Sequence, residues 1–164
     1  MSGGKPVDDG EKAGYPADMK WIYILFGLVA GMTMPVQAGV NLRLRESLGD
    51  PVFAAFVSFA VGAVVLGIYG FALRSAPSMA MVSSAPWWSW TGGMLGAFFV
   101  FAIIVLAGQL GATSSMAWLL AGQFLAALVL DHFGLVGYDV HQVSWPRVAG
   151  VVLLIVGAML INKY

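Results

Sequence analysis

Three polar side chains recur at one helical spacing inside an otherwise apolar segment. Thr33, Gln37 and Asn41 lie four residues apart in the stretch GMTMPVQAGVN, residues 31–41. At about 3.6 residues per turn, positions four apart share one face of a helix, so the three side chains would form a single column. Hydroxyl and amide groups can hold a solute by hydrogen bonds, but they supply no charged acid or base. The column therefore predicts either a neutral binding site or polar contacts between helices.

A proline stands in the middle of this column. Pro35 has no amide hydrogen, so the carbonyl of Gly31 one turn earlier loses its partner within the helix. We expect Gly31 and Pro35 to form a kink or hinge, with a free carbonyl beside Thr33 and Gln37. Two interpretations stay open at this point: the column lines a substrate cavity, or it only bonds to neighbouring helices.

Two further apolar segments carry neutral polar residues. Ser115 and Gln123 fall on one helical face with Trp118 close by, and Trp118 is either a cavity wall or a packing residue. An amide without partners in hydrocarbon costs several kcal/mol, so glutamines at this depth should face protein or water. The candidate substrate-binding residues are Thr33, Gln37, Asn41, Ser58, Ser115, Trp118 and Gln123.

The histidines raise the question of a metal. His132 and His141 lie in a loop with Asp131 and Asp139, and such a set could bind a metal ion. The spacing matches no specific metal site, so an ordinary interfacial turn and no metal are predicted. No catalytic residue is assigned, and the chain is predicted to be neither an enzyme nor a cofactor protein.

Composition indicates the medium in which these residues work. Of 164 residues, 60% are hydrophobic and 10% charged, too apolar for a soluble domain to hide inside one core. The absence of cysteine excludes disulfides and thiolate metal sites. The formal net charge of zero gives no electrostatic case for nucleic acid. The lipid bilayer is the expected partner of most of the surface.

Uncharged runs predict an all-α, polytopic membrane protein with five transmembrane helices, since about 20 apolar residues cross ~30 Å of hydrocarbon. Small residues before Gly39 also fit a signal-peptide cleavage site, but the chain beyond remains mostly membrane, so we interpret the first run as a span. We expect a disordered aqueous tail at 1–20, then a single transmembrane domain at 21–164 with spans at about 21–40, 51–73, 90–107, 112–130 and 146–162.

The connections between these runs also carry signals. Residues 43–50 are predicted as a charged loop, and Gly108 to Gly111 as a tight turn between two helices. Trp87, Trp88 and Trp90 are placed like interfacial anchors before the third span.

Small residues recur at helical spacing and predict close helix packing, which matters in lipid because apolar side chains gain little by leaving it for one another. Direct contact with a substrate is the alternative. The packing glycines are Gly27, Gly92, Gly96, Gly122, Gly150 and Gly157, with Gly31 one turn after Gly27.

Charges give little information on orientation. Lys5, Lys12, Lys20, Arg74 and Arg147 fall on one side, against Arg43, Arg45 and Lys163 on the other. Without the two distant tail lysines the count is three against three, so we expect insertion in both orientations. No span contains a mid-membrane ionisable residue, which disfavours a simple carboxylate-centred proton exchange.

Several pieces of the chain resemble a known family. GMTMPVQAGVNLRL, SFAVGAVVL from Ser58, GGMLGAFFV from Gly92 and AGQFLAALVLDHFGLVG from Ala121, followed by Arg147 and Gly150, are similar to the YdcZ-type family of the drug/metabolite transporter superfamily. The resemblance implies a small bacterial inner-membrane exporter, equivalent to half of the ten-helix carriers. It also implies two copies associated in opposite orientations. The first-helix glutamate of the similar small multidrug resistance branch has no counterpart here.

These observations together predict a dual-topology, antiparallel homodimer in the bacterial inner membrane. We expect a secondary transporter of a small neutral, zwitterionic or amphipathic metabolite or drug, working by alternating access. The alternatives are a dual-topology channel for small solutes or ions, and a structural subunit of a larger membrane complex.

Overall fold

The computed structural model describes residues 17–73 and 77–164, and every regular element in these ranges is helical. Four long helices make up most of these ranges, and one short helix and two 3-10 helices lie in the connections after the second and third of them. This confirms the all-α prediction. Residues 1–16 of the predicted tail lie outside the described residues, as does Arg74. The elements are α1 (Ala17–Leu48), α2 (Pro51–Leu73), α3 (Met79–Ser83), a 3-10 helix (Trp87–Thr91), α4 (Gly92–Phe133), a second 3-10 helix (Leu135–Gly137) and α5 (Trp145–Lys163).

The chain forms two compact units, and the boundary falls within α1. The first unit is Met1–Met34, described from residue 17, and the second is Pro35–Tyr164. In the first unit nearly every described side chain is exposed, including Trp21 and Phe26. The second unit contains the remainder of α1 and all other helices.

α1 is longer than the first predicted span. It begins at Ala17, before Trp21, and continues through Pro35 to Leu48. Arg43 Nη1 donates to Glu46 Oε2 at 2.7 Å, an ion pair between neighbours on one helical face. Because neither glycine nor proline occurs between residues 40 and 48, nothing in the sequence ends the helix earlier. The predicted loop at 43–50 is therefore wrong over most of its length.

Gly49 and Asp50 make the actual turn between α1 and α2. Gly49 has φ +76°, a left-handed conformation that suits glycine, and its N–H donates to the Arg45 carbonyl at 2.8 Å. The side-chain oxygen Oδ1 of Asp50 accepts from the N–H groups of Val52 and Phe53 at 2.7 and 3.1 Å. This aspartate caps the first turn of α2. α2 consequently has the bounds of the second predicted span.

α2 packs antiparallel against the first half of α4, residues 92–110. Phe59 lies beside Gly96 at one end of the contact, and Gly49 and Gly108 line one cavity at the other end. The residues buried along this contact are apolar throughout. The buried residues of the two segments are Ala54, Ala55, Val100, Ile103, Ile104 and Ala107.

α4 is broken at Gly111, where φ is 77° and ψ is 172°. This combination is open essentially to glycine alone. A straight helix of 42 residues would be about 63 Å long, roughly twice the ~30 Å of the hydrocarbon layer. The segments 92–110 and 112–133 each have about the ~20 residues that one crossing needs. The break falls at the last residue of the predicted turn, while Gln109 and Leu110 remain helical.

The second half of α4, residues 112–133, packs antiparallel against α5. At one end Arg147 Nη1 lies 3.5 Å from Asp131 Oδ2, and toward the other end Ala117 and Ile161 line one groove. Small or β-branched side chains fill the centre of the contact and let the two backbones approach. The buried ones are Ala121, Val151 and Ala158.

The loop at residues 134–144 is tied back to the end of α4. Gly134 ends the helix at φ +59°, and the N–H of His141 donates to the Asp131 carbonyl at 2.8 Å. The N–H of Val143 lies 3.3 Å from Nδ1 of His132, which acts as the acceptor in this arrangement. The loop therefore has internal hydrogen bonds that join both of its ends to α4.

The interior of the described chain is thin. Four helices are long and apolar enough to cross a membrane, and within their most apolar windows only 6 to 22% of residues are buried. Exposed aromatic and aliphatic side chains cover the remaining surface, far beyond the patches usual on a soluble monomer. Contact with the lipid bilayer accounts for such an apolar surface.

Candidate functional site

The first member of the polar column lies in the first unit. Thr33 is exposed, and its Oγ1 donates to the carbonyl of Ala30 at 2.6 Å. This bond to the preceding turn is the usual way in which a threonine within a helix satisfies its hydroxyl. The hydroxyl oxygen can still accept a hydrogen bond, so a substrate contact by Thr33 stays a prediction.

The other two members of the column belong to the second unit and have opposite environments. Gln37 is exposed, whereas Asn41 is only 3% exposed. Positions four apart are offset by about 40° around a helix, so a neighbouring segment can bury Asn41 and still leave Gln37 exposed. Gln37 is thus available to a partner outside the single chain, and Asn41 lies in the interior.

Asn41 is buried without full hydrogen bonding. Its Nδ2 has no partner among the described residues. Leaving a buried amide donor unpaired costs about 1–3 kcal/mol, and buried polar groups are nearly always bonded. The amide of Asn41 is therefore a donor that needs an acceptor from outside the described residues.

The candidate residues of α2 and α4 are also divided between surface and interior. Ser115 is completely buried and its hydroxyl donates to the carbonyl of Gly111, beside the helix break. Ser58 and Trp118 are half-buried, and Gln123 is exposed. Within the second unit the predicted substrate residues thus differ in exposure, and their shared role stays a prediction.

Arg45 also belongs to this region, although it is not among the residues predicted from the sequence. It follows Asn41 by four positions and so extends the spacing of the polar column by one more turn. Its guanidinium lies against Gly108 of α4, where an added Cβ would be 2.6 Å from Arg45 Nη1 and 3.3 Å from Leu42 Cδ1. Only glycine leaves room for this contact. Continuing the four-residue series beyond Asn41 would have found Arg45, but not its contact with Gly108.

A cavity of about 420 Å³ lies beside Arg45. Successive turns of the last part of α1 form one wall, and the first half of α4 forms the other. The lining residues are Leu42, Arg45, Glu46, Gly49 and Gly108.

The predicted packing glycines differ in what surrounds them. A Cβ at Gly96 would lie 3.2 Å from Phe59 Cζ, so Gly96 makes a close helix contact within the chain. At the other predicted positions an added Cβ would meet nothing within 4 Å among the described residues, so packing there stays a prediction that needs a second molecule. These positions are Gly27, Gly31, Gly92, Gly122, Gly150 and Gly157.

The histidine and aspartate loop uses its polar groups internally. Asp131 pairs with Arg147, and His132 Nδ1 faces the N–H of Val143. His141 Nδ1 lies 3.0 Å from the Asp139 carbonyl oxygen, so it can act as a donor to it. Within residues 17–73 and 77–164, no group of three or more metal-ligating side chains is placed to hold an ion.

The membrane-length helices and their polar residues can be compared with known proteins. The family described as "Putative inner membrane exporter, YdcZ" matches residues 22–160, which is most of the chain and covers all of α2 and α4 and most of α1 and α5. The chain belongs to this YdcZ family.

A relative supports the same assignment. The chain is 33% identical over 141 residues to the "Inner membrane protein YdcZ" of Escherichia coli strain K12, covering 85% of this chain and 94% of that protein. No solved structure matches the chain. The family resemblance seen in the sequence is confirmed, and the chain is a multi-pass inner membrane protein. YdcZ-family membership points to membrane transport rather than to an enzyme.

Proposed function

We propose that this YdcZ-family protein is a secondary transporter that exports a small neutral, zwitterionic or amphipathic solute by alternating access. Each copy would cross the membrane five times, with α4 contributing two crossings that meet at Gly111. Two copies inserted in opposite orientations would enclose the transport path.

The exposure of two glutamines carries this proposal. Gln37 and Gln123 lie in apolar segments and are exposed on the described part of a single chain. An amide facing hydrocarbon is costly, so each needs protein or water beside it. A polar cavity between two copies would satisfy both side chains and would give a solute hydrogen-bond donors and acceptors. Packing of these amides on a second copy without any cavity is the competing explanation.

Open glycine positions support a second copy. Gly150 and Gly157 line one apolar groove between α4 and α5, and an added Cβ at either position would meet nothing within 4 Å among the described residues. Glycine faces let helices of another molecule approach closely in lipid. The nearly balanced loop charges support insertion in both orientations.

The proposed cycle uses the proline of α1. The carbonyl of Gly31 has no N–H partner at Pro35, so α1 bends there more easily than at an intact turn. Rocking of the helices about this position would expose the amides first to one side of the membrane and then to the other. Ser58, Ser115 and Trp118 would shape the wall of the path.

Transport by the purified protein tests the proposal. A metabolite and drug library is first screened for compounds that raise the melting temperature in detergent, because a ligand of the folded state stabilises it. Hits are then measured for counterflow in proteoliposomes. Gln37→Ala and Asn41→Ala should weaken both responses, while Gln142→Ala in the exposed loop should leave them unchanged. Full ligand response and transport in both α1 variants would show that the column only packs helices.

The same assay separates a carrier from the alternatives. Saturable counterflow supports a carrier, whereas unsaturated flux above ~10³ per second would indicate a channel. A protein that purifies only with a different membrane protein, and never as a dimer, would indicate a structural subunit instead.

A further inference from the structure

We propose that Arg45 and Asn41 bind the carboxylate group of the transported solute, so that the substrate class is a small carboxylic acid or amino acid-like zwitterion. This inference rests on the proposed transport function and narrows its substrate. It assigns the charged contact to Arg45, at the end of the polar column, and the neutral contact to Asn41.

The first observation is the position of the guanidinium. Arg45 is half-buried, lines the cavity beside Gly108, and makes no side-chain hydrogen bond or ion pair with any described residue. A guanidinium presents five N–H donors in a planar fork that matches a carboxylate. Arg45 therefore supplies an anion-binding group whose donors the surrounding protein leaves available.

The second observation is that the acidic residue lining the cavity is paired with another arginine. Glu46 is the acidic residue among those lining the cavity, and its Oε2 bonds Arg43 Nη1 at 2.7 Å. Arg43 projects outward, with 84% of its side chain exposed. This pair is exposed and therefore weak, but it places the Glu46 carboxylate on Arg43 rather than on Arg45, whose positive charge stays available to another anion.

The third observation is the buried amide one turn deeper. Asn41 and Arg45 are four residues apart, so they share a helical face and are separated by about 6 Å along the axis. Asn41 Nδ2 is buried and has no partner among residues 17–73 and 77–164. Asn41 does not line the cavity itself. A carboxylate that enters beside Arg45 and moves one turn along α1 toward Asn41 would supply the acceptor that this amide requires, and the charge-assisted bond to Arg45 would hold it there.

Gly108 makes the arrangement possible. A side chain at this position would overlap the guanidinium, since an added Cβ would be 2.6 Å from Arg45 Nη1. The competing explanation is that Arg45 only neutralises the C-terminal end of the first half of α4, which stops at Gly111. That role would affect stability but would give no preference for an anionic ligand.

Calorimetric binding of a matched pair of probes distinguishes the two explanations. Benzoate and its uncharged counterpart benzamide are titrated into the full-length protein in detergent. We expect benzoate to bind at least about tenfold more tightly, which corresponds to about 1.4 kcal/mol, because only the carboxylate forms charge-assisted hydrogen bonds with the guanidinium. Arg45→Gln should abolish the preference for benzoate, Arg45→Lys should restore part of it, and Gly108→Ala should weaken benzoate binding.

Lys163→Gln is the matched control, because it removes one positive charge near the chain terminus without touching the cavity, and it should leave benzoate affinity unchanged. Equal binding of benzoate and benzamide to the native protein, or no benzoate binding, would overturn the proposal. Unchanged benzoate affinity in a folded Arg45→Gln variant would do the same and would leave only the capping role. Proteoliposome counterflow tests the transport proposal separately. If uncharged solutes are transported, the transport proposal stands even when the carboxylate site is refuted. If no solute is transported, the transport proposal fails even when benzoate binds.

Discussion

Phe59 of α2 lies against the backbone of α4 at Gly96, where a Cβ would be 3.2 Å from the ring carbon Cζ. The ring must move by a few tenths of an ångström to admit a methyl group. Gly96 is therefore a packing glycine within one chain, and its effect can be measured without knowing the oligomeric state.

Gly96→Ala should lower stability relative to Gly93→Ala. Both variants gain helix propensity, but a Cβ at Gly93 meets nothing within 4 Å among the described residues. Overpacking costs about 1–3 kcal/mol, so we expect a difference near ~1 kcal/mol in SDS unfolding titrations. Combining Gly96→Ala with Phe59→Leu should recover the loss. Equal stability of the two alanine variants would mean that the ring yields freely.

Gly111→Ala should destabilise the protein by about 1–3 kcal/mol, because the conformation at this position is closed to residues with a Cβ. Gly67→Ala is the control, since Gly67 lies within α2, is not a predicted packing glycine, and has open space for a Cβ among the described residues. That variant should be neutral or slightly stabilising. The measurement is the melting temperature in detergent, and a Gly111→Ala protein as stable as the control would contradict the break in α4.

Gly157→Leu should reduce the dimer population while the single chain still folds. The position faces a groove in which an added Cβ meets no described atom within 4 Å, so the leucine blocks a second molecule before it disturbs the chain. Native mass spectrometry in detergent counts the two species, with helicity by circular dichroism as the check on folding. Gly67→Leu in α2 is the comparison. An unchanged dimer fraction would assign this groove to lipid.

Pro35→Ala should restore the hydrogen bond of the Gly31 carbonyl and stiffen α1. We expect a higher melting temperature together with slower counterflow of any transported hit and little change in its affinity. A slower transport rate at nearly unchanged affinity is the expected effect of losing a hinge. Val36→Ala is the neighbouring control, because it leaves the helix backbone unaltered. Faster or unchanged counterflow in Pro35→Ala would remove the hinge from the proposal.

The ion pair of Asp131 and Arg147 should contribute little. Both side chains are at least one third exposed, and the atoms are 3.5 Å apart, so water screens the attraction. A double-mutant cycle with Asp131→Asn and Arg147→Gln should give a coupling of about 0.2–1 kcal/mol that falls with added salt. A larger, salt-independent coupling would show that the loop buries this pair in the assembled protein.

Local signals in the sequence determined some elements well. α2 has its predicted bounds because Asp50 and Pro51 mark its start and an uncharged run continues to Leu73. The loop predicted at 43–50 is wrong because it rests on the presence of charge alone, whereas Arg43 and Glu46 are spaced to pair along a helix. Here the spacing of the charges was more informative than their presence.

Contacts between distant segments could not be predicted in this way. Helical spacing places Gln37 and Asn41 on one face, but only the packing of other helices decides that one is exposed and the other buried. The approach of Arg45 to Gly108 likewise depends on how α1 and α4 meet. The residues next to Arg45 in the sequence do not indicate a contact with Gly108, and those next to Gly108 do not indicate one with Arg45.

The single-residue break at Gly111 has a practical consequence for labelling the protein. Helix continues on both sides of this glycine, so no length of irregular chain is present there to accept an inserted epitope or a protease site. The connection at residues 138–144 carries no helix and is exposed throughout, and an insertion between Tyr138 and His141 would leave the hydrogen bonds of His141 and Val143 to α4 in place. Reporters of sidedness therefore belong in that connection, and an insertion beside Gly111 would separate two helices that meet at one residue.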